Sequence, residues 1–256
     1  ARGYREIVLT GVNVGQYRQD ELDLVGLIAQ LEEIEGLDRI RVSSIEPTTI
    51  TNALLDRMAS SSKLCPYLHV PLQSGDDAIL SSMNRPYNAK EFAHLIQRAI
   101  ATIPHLGLGT DLMVGFPGET EGAFEHTLHI ACELPFSYFH VFTYSQRPGT
   151  AAARLPDQVP IAVARKRAKI LAQLSRLKRL AFAERYIGST VPVLFESGEM
   201  DGYRLGVTAN FLKVAVPSNI DLTNHLKDVR VTGASDRWAV GQLTEEHQST
   251  RRVPIL

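Results

Sequence analysis

Residues 106–120 read LGLGTDLMVGFPGET, an apolar run broken by glycines that ends in a Gly-Phe-Pro-Gly turn. A run of this length between turn residues is typical of a strand buried on both faces, as in a parallel sheet. Phe124, Leu128 and Ala131 follow at helical spacing, and Thr120 is placed to cap that helix. The segment predicts a strand, a tight turn and a helix, which brings backbone N–H groups to a ligand at the strand's carboxyl end.

The same alternation of strand and helix recurs along the first part of the chain. Five strands are predicted, at residues 6–11, 39–45, 67–70, 106–114 and 136–144. Repeated βα units favour an α/β fold with a parallel sheet and right-handed crossovers. Five units fit either an open sheet or most of a (β/α) barrel.

A long helix is predicted after Pro160, to about Tyr186. It carries eight Lys or Arg residues against the single Glu184, although the whole chain has a formal net charge of −1. Its predicted apolar stripe consists of Ile170, Leu174, Leu177 and Ala181. Because a basic stripe attracts phosphate backbones, four residues are candidate RNA contacts: Arg165, Lys169, Arg176 and Arg179. A solvated helix face is the alternative explanation.

The pattern changes from Gly188 onward to short strands separated by Gly, Asn and Asp turns. The strands are predicted at residues 191–196, 203–208, 212–216 and 228–232. Even spacing of this kind is typical of a small all-β barrel or sandwich. We therefore predict two domains, residues 1–186 and 187–256.

Composition limits the classes of protein that the chain can represent. Hydrophobic residues make up 44% and charged residues 21% of the 256 residues, as in globular proteins. No apolar run approaches the ~20 residues that span a bilayer, so no membrane contact and a cytoplasmic location are predicted. The two cysteines do not indicate a disulfide framework. The chain begins with Ala1 and enters a strand at once, which predicts a longer parent protein.

Polar side chains lie at or just after the predicted strand ends, where a parallel sheet would gather them along one edge. The set is Asn13, Ser43, Ser44, Glu46, Gln73, Ser74, Arg85, Asp111, Glu119, Tyr144 and Arg147. Their hydroxyls, amides and charges suit a polar cofactor, and Ser74 with Asp77 resembles a capping box. His69 and His140 fall inside apolar strands and are interpreted as packed core histidines. No metal site is predicted, because no Cys-x-x-Cys or His-x-x-x-His spacing occurs.

Six ordered motifs resemble one known family, the radical S-adenosylmethionine methylthiotransferases. They are EIVLTGVN at 6–13, RIRVSSIEP at 39–47, HVPLQSG at 69–75, MNRPY at 83–87, DLMVGFPGET at 111–120 and YSQRPGTA at 144–151. LTGVN and SSIEP look most like the branch that acts on N6-threonylcarbamoyladenosine in tRNA. The part after Gly188 resembles the family's TRAM domain, an RNA-binding β-barrel.

The resemblance implies a fold, cofactors and partners. It implies a partial radical-SAM (β/α) barrel, S-adenosylmethionine, 4Fe-4S clusters, tRNA around adenosine 37, and an electron donor such as flavodoxin or ferredoxin. It implies transfer of a methylthio group to C2 of the modified adenine. The cofactor-binding residues it suggests are Asn13, Ser44, Gln73, Ser74, Asp111, Gly115, Glu119 and Arg147.

The sequence departs from the family at the cluster motif. The family's Cys-x-x-x-Cys-x-x-Cys is absent, and Cys65 and Cys132 do not match it. Since iron–sulfur clusters are held by thiolates, the chain alone is predicted to be inactive. The alternatives are a cluster-free RNA-binding module, a methylthiotransferase of the isopentenyladenosine or ribosomal-protein branch, and a phosphate-binding barrel that uses the Gly115–Gly118 turn.

Overall fold

The computed structural model of the protein describes residues 3–244, and these form two compact units. The first unit is Glu6–Lys178. The second consists of the described parts of Ala1–Arg5 and Arg179–Leu256. The division lies inside the long helix, whereas the predicted domain boundary follows residue 186. Residues 1–2 and 245–256 of the predicted domains lie outside the described residues.

The first unit contains five parallel strands, in one two-stranded and one three-stranded sheet. They are β1 (Glu6–Leu9), β4 (Arg39–Val42), β5 (Tyr67–His69), β6 (Gly107–Val114) and β7 (Tyr138–Thr143). β1 pairs with β4, and β5, β6 and β7 pair in that order. Isolated parallel bridges, Ile40 to Leu64 and Ser44 to His69, connect β4 with β5. The predicted parallel α/β arrangement is therefore present, with strands in sequence order apart from a small hairpin of β2 (Arg18–Gln19) and β3 (Leu22–Asp23).

Helices connect successive strands of this sheet. They are α1 (Leu24–Glu32), α2 (Asn52–Ser60), α3 (Asp77–Ser82), α4 (Ala89–Thr102) and α5 (Glu121–Glu133), and α6 (Ile161–Glu184) follows β7. Thr120 caps α5 as predicted, because its hydroxyl accepts a hydrogen bond of 3.1 Å from the Ala123 N–H. The predicted capping box at Ser74 is wrong. Asp76 caps α3 by accepting from the Ile79 N–H at 3.1 Å, and a carboxylate is the stronger acceptor there.

The two faces of the sheet differ in chemistry. Leu68, Leu108, Leu112 and Phe139 belong to the main apolar core. Strand residues alternate between faces, so the intervening positions share the opposite face. That face carries polar side chains: Arg39, Arg41, Tyr67, His69, Asp111, Tyr138 and His140. The predicted burial on both faces holds for much of the sheet, but only one face is apolar.

The predicted apolar stripe of α6 is confirmed only in part: Ile170 and Leu174 pack against the core, whereas Leu177 and Ala181 are exposed. Ala164, Leu171 and Ser175 are buried, whereas Leu177 of the predicted apolar stripe is 64% exposed. Ser175 is buried because its hydroxyl bonds the backbone of Phe139 in both directions, at 3.0 and 2.7 Å. A polar residue that hydrogen-bonds to the backbone of a neighbouring strand therefore lies on the buried side of α6. A search of the sequence for apolar residues does not find such a position.

The second unit contains a closed five-stranded barrel. Its strands are β8 (Thr190–Met200), β9 (Tyr203–Thr208), β10 (Lys213–Pro217), β11 (Leu226–Ala234) and β12 (Ala239–Leu243). They pair in the order β10-β12-β11-β8-β9, and β9 pairs with β10 to close the ring. Phe195, Val214 and Val229 form its core with Phe182 from the end of α6. The small β-barrel is confirmed; its fifth strand, β12, is not predicted by the sequence pattern.

Among the residues that the structure describes, no helix has the length and apolar character needed to cross a membrane.

Candidate functional site

The glycine turn after β6 is held by a buried carboxylate. The Gly115 N–H donates to Oε2 of Glu119 at 2.6 Å. Arg167 of α6 donates from Nη1 to the same oxygen at 2.7 Å and to the Glu119 carbonyl at 2.9 Å. Both side chains are buried, and Arg167 also reaches Glu121 at 2.9 Å. The two acids and the arginine therefore tie the turn to α6.

Burial dominates the electrostatics of Glu119. It raises the pKa of the carboxyl, while the Gly115 N–H and the Arg167 guanidinium oppose that shift. The paired acids hold the pKa of Arg167 above its usual value, although burial acts the other way. Glu119 is a predicted cofactor-binding residue, and the structure directs its Oε2 to the turn and to Arg167.

A cavity of about 480 Å³ lies at the carboxyl ends of β6 and β7. Its lining includes Gly115, Tyr144, Gln146, Gln158 and Arg165. The Tyr144 hydroxyl is buried and has no hydrogen-bond partner among the described residues. An unsatisfied buried hydroxyl costs roughly 1–3 kcal/mol, so a polar ligand in this cavity would remove a penalty.

The middle of the sheet edge brings three predicted residues together. Ser44 bridges to His69 and is exposed. Gln73 bridges to Leu112, and its N–H donates to the Asp111 carbonyl at 2.8 Å. Gln73 has a positive φ of 71°, a strained conformation for a residue with a side chain. Ser44, Gln73 and Asp111 therefore lie on adjacent strand ends.

The remaining predicted residues have other surroundings. Asn13 precedes a short 3₁₀ turn, and its Oδ1 is 3.5 Å from the Thr49 hydroxyl. Ser74 is fully buried, with its hydroxyl 3.3 Å from that of Thr127 on α5. Arg147 is exposed in the loop after β7. Arg85 and Glu46, predicted at the same edge, form an ion pair at 3.3 Å.

A polar cluster on the sheet face is absent from the predicted cofactor set except for Asp111. Nε2 of His69 is 3.0 Å from Oδ1 of Asp111. Nδ1 of His69 is 3.3 Å from the Tyr138 hydroxyl, which is 2.5 Å from that of Tyr67. Burial raises the pKa of Tyr67, so this phenol stays neutral. His69 is buried, as expected for a core histidine, but its ring nitrogens face polar atoms. The same prediction is wrong for His140, which is exposed.

The signal for this cluster was present in the sequence. His69 and Tyr67 alternate with Leu68, and His140 and Tyr138 alternate with Phe139. A period of two in polarity indicates one polar face. A search for continuous apolar runs does not detect this alternation of polar and apolar residues.

A second cavity, of about 520 Å³, lies near the starts of α1 and α2. Its lining includes Tyr17, Arg18, Asp23 and Thr49. None of the predicted cofactor-binding residues lines it.

The candidate RNA contacts differ in exposure. Arg165, Lys169 and Arg176 are exposed on α6. Arg179, in the second unit, is partly buried, and its Nη1 donates to the Asp236 carbonyl at 3.3 Å. Of the other basic residues on the helix, Arg167 is buried and Lys178 caps the carbonyls of Cys132 and Leu134. The basic excess at the surface is thus smaller than the sequence count.

The two cysteines are free and unlike each other. Cys65 is buried, and this burial raises its pKa to about 11. Cys132 is exposed on α5. A buried thiol with a raised pKa is a poor thiolate ligand.

Comparison with known proteins gives consistent matches. A profile of the Radical SAM superfamily matches residues 1–131. The chain is 38% identical to the tRNA-2-methylthio-N(6)-dimethylallyladenosine synthase of Pelotomaculum thermopropionicum, across 98% of this chain and 57% of that protein. It is 36% identical to the threonylcarbamoyladenosine tRNA methylthiotransferase MtaB of Bacillus subtilis, across 94% and 55%. The chain spans little more than half the length of these curated relatives.

Among solved structures, the radical SAM enzyme coproporphyrinogen III oxidase (HemN) of Escherichia coli superposes with a TM-score of 0.46 and 20% identity. That overlap covers 59% of this chain and 37% of HemN. The sequence profile, which matches half of the chain, is sufficient: this protein belongs to the Radical SAM superfamily.

Proposed function

We propose that the chain is part of a methylthiotransferase that modifies C2 of N6-threonylcarbamoyladenosine at position 37 of tRNA. The observation that carries this proposal is its similarity, over nearly its whole length, to two tRNA methylthiotransferases. The sheet edge and its cavity support a site for a polar cofactor beside it.

The choice of nucleoside depends on short motifs. LTGVN at 9–13 and SSIEP at 43–47 favour threonylcarbamoyladenosine. The alternative is dimethylallyladenosine, the nucleoside named for the 38% identical relative, against 36% for MtaB. The motifs, and not these identities, carry the choice between the two nucleosides, and the ribosomal-protein branch is the third candidate.

The cavity at the carboxyl ends of β6 and β7 offers polar groups that suit S-adenosylmethionine. Tyr144 lines the 480 Å³ cavity, and its buried hydroxyl has no hydrogen-bond partner among the described residues, which favours a polar ligand beside it. Gly115 and Gln146 line the cavity, and Ser44, Gln73 and Asp111 offer polar groups nearby on the sheet edge. We propose that these residues hold the cofactor, with Asn13 and Arg147 at the periphery. When bound, this cofactor supplies the 5′-deoxyadenosyl radical and the transferable methyl group.

Glu119 and Ser74, two of the predicted cofactor-binding residues, have supporting roles in this proposal. Glu119 and Arg167 fix the Gly115 turn, which forms one side of the cavity. Ser74 ties the loop after β5 to Thr127. We propose that both position backbone atoms for the cofactor and make no direct contact with it.

The cysteines of this chain do not fit an iron–sulfur cluster. Three thiolates are needed, and the chain has one buried and one exposed cysteine. Ligands outside these 256 residues would be required, as would an electron donor such as flavodoxin or ferredoxin. We therefore expect the chain alone to bind cofactor and tRNA without catalysing transfer.

For tRNA contact, we propose the exposed Arg165, Lys169 and Arg176, together with Arg179 and the five-stranded barrel. Each lost phosphate contact should reduce the salt dependence of binding by roughly one unit in log–log slope. Neutralising the four residues to Gln should weaken tRNA binding, and Lys90→Gln with Arg98→Gln, exposed on α4 and outside every proposed site, serves as the control for loss of surface charge. Unchanged affinity in the fourfold variant would remove α6 from the proposed interface.

The function itself is tested with the full-length parent protein. After anaerobic reconstitution, it is given tRNA that carries either threonylcarbamoyladenosine or dimethylallyladenosine. We expect the methylthio product from the first tRNA. Product from the second alone would assign the alternative branch, and product from neither would contradict the proposal. A cluster-free RNA-binding module would bind tRNA and yield no product in both cases.

A further inference from the structure

Three metal-ligating side chains from three adjacent strands meet on the polar face of the sheet. They are His69 of β5, Asp111 of β6 and His140 of β7. One nitrogen of each imidazole and one oxygen of the carboxylate all lie within 4.8 Å of one another. Asp111 is the register partner of His140, and His69 is two residues short of Asp111 along the neighbouring strand. The spacing is therefore fixed by the sheet.

The contact between His69 and Asp111 is short but is not a formed hydrogen bond. Nε2 and Oδ1 are 3.0 Å apart, yet this buried Oδ1 has no hydrogen-bond partner among the described residues. A buried carboxylate oxygen without a partner is costly. Two ligand atoms of one metal ion with bonds of roughly 2.0–2.2 Å lie about 3.0 Å apart at a right angle and about 3.4 Å apart at the tetrahedral angle, so a shared cation would satisfy both atoms after a small shift.

The surroundings of His69 resemble the outer shell of a metal site. Its other nitrogen, Nδ1, is 3.3 Å from the Tyr138 hydroxyl, which contacts Tyr67. Such a partner fixes the ring and its tautomer. Gly109 lies between them, and a Cβ there would be 2.7 Å from both Nδ1 of His69 and Oη of Tyr138. Only glycine permits this approach.

We propose that His69, Asp111 and His140 bind one divalent transition-metal ion, with Zn²⁺ as the representative ion. Two imidazoles and one carboxylate suit Zn²⁺, Co²⁺ or Fe²⁺ better than Mg²⁺ or Ca²⁺. Three protein ligands leave at least one coordination position open, and exposed His140 places that position within reach of solvent. This proposal does not depend on the proposed function, but it assigns the Asp111 carboxylate to the metal ion and leaves Ser44 and Gln73 as the cofactor contacts on this part of the sheet edge.

The test uses the purified 256-residue chain after treatment with a chelator. Zn²⁺ binding is measured by competition with a chromophoric chelator, and Co²⁺ binding by its visible absorption. The ligand variants are His140→Ala and Asp111→Asn. The control is His126→Ala, because His126 is exposed and faces Asp76 at 2.9 Å, with no third metal-ligating side chain beside the pair among residues 3–244. Far-UV circular dichroism checks that each variant is folded.

We expect one Zn²⁺ per chain in the wild type and in His126→Ala. Each ligand variant should weaken binding by more than the ~10–100-fold that loss of an outer-shell partner costs, and Tyr138→Phe should fall within that range. Absence of stoichiometric binding in the wild type, or equal affinity in the folded ligand variants, would overturn the proposal.

Discussion

Asp111 and Glu119 are carboxylates of one motif, but the protein treats them differently. Glu119 is buried, and its Oε2 is saturated by the Gly115 N–H and Arg167. Asp111 is partly exposed on the polar face, and its buried Oδ1 lacks a hydrogen-bond partner within residues 3–244. Oε1 of Glu119 is likewise buried without a hydrogen-bond partner among the described residues, so the two acids differ chiefly in their charged neighbour: Glu119 is paired with Arg167, whereas Asp111 faces an imidazole. An acid already paired with an arginine shapes the turn, and an acid beside two imidazoles is placed to bind a cation.

The largest expected effect on stability comes from breaking the ion pair between Glu119 and Arg167. Arg167→Met leaves the Glu119 carboxylate buried without its cation, which should reduce the free energy of unfolding by about 3–5 kcal/mol. Urea denaturation of the chain measures it. The control is Arg176→Met on the exposed side of the same helix, expected within about 0.5 kcal/mol of wild type. Equal effects in the two variants would show that the pair is dispensable.

The glycine turn offers a second comparison. Gly115 has φ +78°, and an added Cβ would lie 2.5 Å from Cβ of Ala164. Gly118 has φ +83° with nothing within 4 Å. Gly118→Ala should cost about 1–2 kcal/mol for left-handed backbone alone, and Gly115→Ala about 1–3 kcal/mol more for the clash. Thermal and urea unfolding measure the two losses of stability. Equal losses in the two variants would argue against the close contact between Gly115 and α6.

Asp111→Asn should have a small effect on stability. Because Oδ1 accepts no hydrogen bond from the described residues, we expect a change in the free energy of unfolding below about 1 kcal/mol. A loss comparable to that of Arg167→Met, in the same urea titration, would mean that Asp111 is structural. This variant therefore tests the contrast between the two carboxylates directly.

The thiols provide the mildest test. Burial raises the pKa of Cys65 to about 11, so at pH 8 almost none of it is thiolate, whereas Cys132 is exposed. Iodoacetamide at pH 8 should modify one thiol per native chain and two in denaturant, as counted by mass spectrometry. Reaction at Cys65 should increase only as the pH approaches 11. Rapid native modification of both thiols would contradict the burial of Cys65.

The sequence predicted the parts of the fold that depend on local patterns. The strand at 106–114, the Thr120 cap and the parallel βα alternation follow from apolar runs and turn residues, and the structure has them. The second unit was predicted as small and all-β for the same reason. Its fifth strand, β12 (Ala239–Leu243), was not predicted because it is short and contains Gly241, so its β-propensity is weak.

The parts that failed depend on contacts between distant segments. Whether Glu119 faces a ligand or Arg167 is decided by the position of α6, which no local pattern encodes. Arg167 looked like one more surface charge, and Leu177 looked like core, because the buried side of α6 is set by partners such as Phe139. The cluster of His69, Asp111 and His140 needed the strand register, since its members are far apart in sequence.

The most direct test of the central claim is nucleoside analysis by mass spectrometry of tRNA from a strain lacking the full gene. We predict loss of 2-methylthio-N6-threonylcarbamoyladenosine and accumulation of N6-threonylcarbamoyladenosine, and the intact gene should reverse both changes. Loss of the 2-methylthio-dimethylallyl nucleoside alone would assign the other branch. Unchanged levels of both 2-methylthio nucleosides would contradict the proposed function.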